Sequence, residues 1–258
     1  HTYRVAALCE RIAKAAGMCA YDVELAWLSG MLHDVGRFEQ IKRYNTFSDA
    51  DSVDHAKFGA DLLFKDGLIS TFLNGMVKCT GYKPGALEDR YSSDGVFLYD
   101  RLNKSDMEML ELAIRCHNMY RIPQGLNRRE QAFCNVLRDA DKVDIFKVNI
   151  DTPLEEIYNT TTEELMKSDI TDEVLEAFDE EHCILKAIRR TPADTVIGHV
   201  SLAYELVYDE SVRITVEQGY LAKLMHFHSD NEETNRKMAM VRDKMDSYVK
   251  KRIGEKDA

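Results

Sequence analysis

The chain has 258 residues, with 34 Lys and Arg against 45 Asp and Glu, a formal charge of −11. Its 45% apolar and 31% charged residues and four prolines exclude a disordered or collagen-like chain, and the length supports one large domain or two small ones. The acidic balance argues against a surface that wraps nucleic acid by neutralising many phosphates. In chain order, Val5, Leu8, Ile12 and Ala16 recur at helical spacing and Gly17 follows as a left-handed cap, which predicts a first helix over 3–16. Asp22 can cap a second helix with Leu25, Leu28, Met31 and Leu32 inward; Gly36 would stop it, so His33 and Asp34 fall in its last turn. A polar loop comes next. Asp51 or Ser52 then opens a third helix with His55, Phe58, Leu62 and Leu63, ending at Gly67.

Residues 68–104, with Gly75, Gly81, Pro84 and Gly85, read as short helices joined by loops. Ser105 and Glu108 read as a capping box for a helix with Met109, Leu112, Ala113 and Cys116 inward and His117 near its end. Pro123 and Gly125 break the chain before a long helix over about 128–148, whose apolar face carries Phe133, Val136, Leu137, Ala140 and Val143, with Asp141 beside it. Residues 154–254 read as further helices separated near 169, 190–192, 209–210 and 229–230, and only 212–216 is strand-like. The fold class is therefore all-α: a core over 1–150 and a C-terminal helical extension over 151–258, expected to pack on it as one globular unit.

Six scattered cysteines form no CxxC pair, and no apolar run reaches the 18 or so residues of a membrane span, so a reducing, cytoplasmic setting is expected, without a membrane partner. The chain begins at His1 and not Met, which reads as a trimmed or processed chain.

Five ligand-type positions fall on, or at the ends of, separate predicted helices: His1, His33 with Asp34, His55, His117 and Asp141. Imidazole with carboxylate suits divalent zinc, iron, manganese or nickel, whereas calcium would take oxygen alone. His182 and His199 read as ordinary partly buried histidines, His226 and His228 as surface, and Cys116 as a core residue.

These positions sit in His1, HDVGR at 33–37, DHAKFGADLL at 54–63, CHNMYRIPQGL at 116–126 and RDADKVDIF at 138–146, and in that order they resemble the HD superfamily of metal-dependent phosphohydrolases over residues 1–150. The resemblance implies that His1, His33, Asp34 and Asp141 hold one metal. His55 and His117 match members with two metals, in which the aspartate corresponding to Asp34 bridges both ions. Two divalent ions, from iron, manganese, zinc, nickel or cobalt, are thus the expected cofactors. Paired ions would activate a water and clamp both oxygens of an in-line displacement, with Asp34 at the centre and Arg37 and Lys142 beside the ligands to assist at the phosphate. Arg43, Lys57 and Arg121 are candidate phosphate contacts at longer reach, and Tyr44 and Tyr120 could stack on or hydrogen-bond a substrate ring.

The leading expectation is hydrolysis of a phosphate ester of a small molecule or nucleotide. The alternative from another class is a di-iron oxygenase resembling myo-inositol oxygenase, which shares the ligand pattern and activates dioxygen. A cyclic-dinucleotide phosphodiesterase ranks lower, because Arg121-Ile122-Pro123 stands where that branch has Gly-Tyr-Pro. Alarmone hydrolases share the fold, but HDVGR lacks the acidic pair that usually follows their HD motif. A non-catalytic sensor is the remaining class, and a homodimer stays open. The net charge is local: residues 151–183 hold 12 acidic groups against Lys167 alone, and the rest of the chain balances at 33 against 33. A solvated helical face is the expected meaning of that stretch.

Overall fold

The computed structural model describes residues 1–78 and 102–254. Cys79 and most of the glycine-rich stretch expected to form loops lie outside the described residues. Every regular element among the described residues is helical, and none is a strand. The chain divides into two compact units, His1–Ala140 and Asp141–Ala258, with the boundary inside one long helix. No helix among the described residues is long and apolar enough to cross a membrane.

In the first unit, α1 (Thr2–Ala15) packs against α2 (Ala20–Leu32). Buried Val5, Cys9 and Ile12 recur at helical spacing, as do Leu25, Leu28 and Leu32, so each helix offers one apolar face to the core. The contact is close because Gly30 has no side chain: a Cβ there would lie 2.6 Å from Ala6 Cα. The N-cap of α2 is Cys19, and Asp22 lies inside the first turn, where its charge still suits the helix dipole.

Gly36 does not stop α2. That helix ends at Leu32 with His33 as its C-cap, and α3 (Val35–Tyr44) begins two residues later with Gly36 inside it. The expected polar loop is therefore largely helical, ending at Asn45 with positive φ. Gly36 is needed for a crossing: a Cβ would meet His55 O at 2.2 Å and Gly59 N at 2.8 Å, so the backbones of α3 and α4 (His55–Ala60) approach as only glycine permits. The N-cap of α4 is Asp54, not Asp51 or Ser52, because its carboxylate accepts from the Lys57 amide at 3.2 Å. The chain continues in a wider π-helical turn over Asp61–Lys65 before α5 (Leu68–Lys78).

α6 (Lys104–Cys116) starts two residues earlier than its expected capping box allows. Asn103 accepts from the Asp106 amide at 3.1 Å, and the Asp106 carboxylate accepts from the Asn103 amide at 3.2 Å. Gly125, at φ +81°, turns the chain into α7 (Arg128–Asp151), where Phe133, Val136, Leu137 and Ala140 are buried.

The second unit continues from α7 through α8 (Leu154–Tyr158), α9 (Thr162–Lys167), α10 (Asp172–Asp179), α11 (Pro192–Val200), α12 (Asp209–Gln218), α13 (Tyr220–Met225) and α14 (Glu232–Ile253). The strand-like residues 212–216 lie inside α12: Ser211, Val212, Ile214 and Thr215 are buried on one helical face, so packing overrides β-branched propensity. All 12 acidic groups of residues 151–183 are exposed, and Glu173, Asp179 and Asp169 pair with Arg190, Lys244 and Lys237.

Candidate metal centre

Helix ends carry most of the histidines and carboxylates singled out from sequence. His1 precedes α1, His33 caps the C-terminus of α2, Asp34 stands at the N-cap of α3, His55 opens α4 and His117 caps α6. Asp34 makes no side-chain cap hydrogen bond, so its carboxylate is left for other partners.

Three ring orientations follow from hydrogen bonds on the Nδ1 side. His33 Nδ1 donates to Gly30 O and His117 Nδ1 donates to Ile114 O, both at 2.7 Å. His55 Nδ1 donates to Asp49 Oδ2 at 2.7 Å. Carbonyls and an ionised carboxylate only accept, so each of these rings carries a proton on Nδ1 and turns its Nε2 away from that partner.

These nitrogens converge. His55 Nε2 lies 3.0 Å from His117 Nε2, and His33 Nε2 lies 3.3 Å from His1 Nε2. Two lone pairs facing at 3.0 Å repel unless a proton or a metal cation lies between them. The Asp34 carboxylate stands between the pairs: Oδ1 is 3.4 Å from His55 Nε2 and 3.9 Å from His117 Nε2, while Oδ2 is 3.6 Å from His1 Nε2 and 3.7 Å from His33 Nε2. His33, Asp34 and His117 place ligand atoms within 4.8 Å of one another, and so do His1, His33 and Asp141, the last carried by α7. A cluster of imidazole nitrogens around a carboxylate is a donor set that fits a divalent transition metal. His33, His55 and His117 are buried, while His1 and Asp34 keep partial exposure.

The other residues expected from sequence take varied places. Arg37 brings Nε to 3.6 Å from Asp34 Oδ1, while its Nη1 donates to Gln40 Oε1, Phe47 O and Asp49 Oδ1. Arg43 pairs with Glu39 and lies over the Phe58 ring, and Lys57 pairs with Asp54; both pairs are on the surface. Tyr44 and Tyr120 are exposed, and the Arg121 guanidinium lies 5.3 Å from the Tyr120 ring centre. Lys142 follows Asp141 on α7 and is half-buried. Cys116 is buried, and burial pushes its thiol up, away from nucleophile or ligand chemistry. His199 belongs to the second unit, where burial first and the charges of Arg189 and Lys186 next push its pKa down to about 3, so it is a neutral packed histidine.

Sequence reasoning missed Asp49, and with it Gln40 and Asn118. The Asp49 carboxylate accepts from His55, Arg37, Gln40 and Asn118. Burial opposes its ionisation, but the His55 hydrogen bond and charge, joined by Gln40 and Arg37, outweigh it and hold the carboxyl well below the usual carboxylate range. The polar run from Ser48 to Ser52 gives no sign of which carboxylate turns inward; the only available signal is an acid six residues before a ligand-type histidine.

No curated protein and no solved structure matches the chain. A family model does: the one described as HD domain matches residues 1–149, the stretch that supplies every histidine and carboxylate of the cluster. The chain therefore belongs to the HD domain family, whose members are in general metal-dependent hydrolases.

Proposed function

We propose that the chain is a metal-dependent phosphohydrolase that cleaves a phosphate ester of a small molecule, a nucleotide being the first substrate class to test. The observation that carries this reading is the division of the Asp34 carboxylate, one oxygen toward His55 and His117 and the other toward His1 and His33. In this reading His1, His33, Asp34 and Asp141 hold one divalent ion, His55, His117 and Asp34 hold a second, and Asp34 is shared. Bound there, such a pair supplies a water nucleophile activated near neutral pH and neutralises charge on the phosphoryl oxygens.

The protein's own part is positioning and charge. The Nδ1 hydrogen bonds of His33, His55 and His117 fix each ring and leave its Nε2 as the nitrogen aimed at the cluster. Arg37 keeps a positive charge beside Asp34 and, with Lys142, is the proposed partner of phosphoryl oxygens. Arg43 and Lys57 can exchange a surface carboxylate for a phosphate at small cost, because exposed ion pairs contribute at most about 1 kcal/mol. Arg121, Tyr44 and Tyr120 are the remaining proposed substrate contacts, the exposed rings serving to stack on a base.

The test is elemental analysis of protein purified without added metal, followed by a phosphate-release panel run with and without oxygen. Two ions per chain and oxygen-independent phosphate release are expected. Protein that binds no metal and hydrolyses nothing would overturn the reading, and substrate-dependent oxygen consumption would replace it with di-iron oxygenase chemistry.

A further inference from the structure

We infer that Asp49 is a positioning residue that fixes the His55 and His117 side of the proposed metal centre, an inference that rests on the reading above. Four charged or ring side chains close a circuit around that side. Arg37 Nε lies 3.6 Å from Asp34 Oδ1, Arg37 Nη1 donates to Asp49 Oδ1 at 3.1 Å, His55 Nδ1 donates to Asp49 Oδ2 at 2.7 Å, and His55 Nε2 returns to Asp34 Oδ1 at 3.4 Å. Two ligand groups, the Asp34 oxygen and the His55 nitrogen, are thereby held at a set separation by residues that do not themselves enter the cluster.

Further bonds tie Asp49 to the elements that carry the ligands. Gln40, buried on α3, donates to Asp49 Oδ1 and Val53 O, both at 3.0 Å, and to Ser52 Oγ at 2.9 Å, which pins the segment leading into His55. Asn118, the residue after His117, donates to Asp49 Oδ2 at 3.3 Å and to Asp54 Oδ1 at 2.9 Å. Asp49 thus gathers donors from α3, from the first residue of α4 and from the second residue beyond the end of α6. A carboxylate behind a ligand histidine also makes the ring a stronger donor than a neutral carbonyl does. The His33 ring has a main-chain carbonyl behind it.

The experiment titrates metal-free protein with Co²⁺, read by the visible absorption of the bound ion and by equilibrium dialysis, in wild type, Asp49→Asn and Asp49→Ala. Wild type is expected to take two equivalents. Asp49→Ala should weaken one of them by about 10- to 100-fold and leave the other unchanged. Asp49→Asn keeps an acceptor for the His55 Nδ1–H but loses the charge, so it should fall between the two. In a His55→Ala background, Asp49→Ala should have no further effect, because the coupling runs through that ring. Unchanged binding of both equivalents in Asp49→Ala would overturn the inference while leaving the metal centre intact. So would equal weakening of both with a lower melting temperature, the mark of a packing role alone. A wild-type protein that binds no Co²⁺ would instead overturn the metal centre itself.

Discussion

The two halves of the histidine cluster are held by different physics. His33 stands at the end of α2, buried, with its Nδ1 on a main-chain carbonyl three residues back, so the helix itself orients the ring. His55 stands at the start of α4 and depends on Asp49, Arg37, Gln40 and Asn118, side chains from outside its own helix. His117 resembles His33, with Ile114 O behind it. One half is thus braced by local helix geometry and the other, at His55, by a charged network that runs from Arg37 to Asn118 in sequence. The first kind of support is hard to remove by substitution; the second is open to it one side chain at a time.

The largest effect should come from the group common to both halves. Asp34→Ala is expected to abolish metal binding and phosphate release together, measured by elemental analysis and by turnover on whichever phosphate ester the wild type cleaves. Retained activity would remove the shared-carboxylate model. His1→Ala and His55→Ala each strip one half, so each should lose one of two equivalents in dialysis against Mn²⁺. If both substitutions removed the same equivalent, the division of Asp34 into two faces would have no functional meaning.

The glycines give a matched pair of backbone tests. Gly30→Ala would drive a Cβ to 2.6 Å from Ala6 Cα in the α1–α2 contact that carries His1 and His33. Gly36→Ala would drive one to 2.2 Å from the carbonyl of His55 itself. Both obstacles are main chain, which cannot swing aside as a side chain can, so each substitution should cost about 3 kcal/mol in thermal or urea unfolding. In the folded fraction, Gly36→Ala should disturb the His55 half and Gly30→Ala the His1 and His33 half. Equal disturbance of both would mean that the halves are not separately supported.

The contrast between local and distributed support also explains what the sequence reveals. Helical periodicity exposes α1, α2, α6 and α7, and the ordered motifs that resemble the HD superfamily single out His1, His33, Asp34, His55, His117 and Asp141 among the histidines and carboxylates. Asp49 lies in the connection between α3 and α4, where polar residues have no period, and its partners are set by tertiary contact. Gly36 misleads for the same reason: a glycine that ends a helix and a glycine that admits a crossing backbone look alike until the neighbour is seen. At α6, Ser105 and Glu108 satisfy the capping pattern as well as Asn103 and Asp106 do, and burial of Asp106 decides between them.

Asp106 provides the smallest expected effect, and one that should fall on both halves alike. Its fully buried carboxylate accepts from Tyr21 Oη at 2.6 Å on α2 and pairs with Arg129 Nη2 at 2.7 Å, so it joins the starts of two helices whose far ends carry His33 and His117. Burial opposes its charge, but Tyr21, Arg129 and the Asn103 amide prevail and hold its pKa below the ordinary carboxylate value. A folded-state pKa below the unfolded one stabilises the protein above the unfolded value, near 3.9, and the contribution is lost as pH falls through the folded value. Asp106→Asn should therefore lower the stability of metal-free protein by about 2 kcal/mol at pH 7, the scale of hydrogen bonds to a charged group. The gap between wild type and variant should narrow as unfolding is followed below about pH 4. Metal stoichiometry at neutral pH should stay unchanged, because Asp106 touches neither half directly; loss of a single equivalent would show that the support of His33 and His117 is not shared at their helix starts.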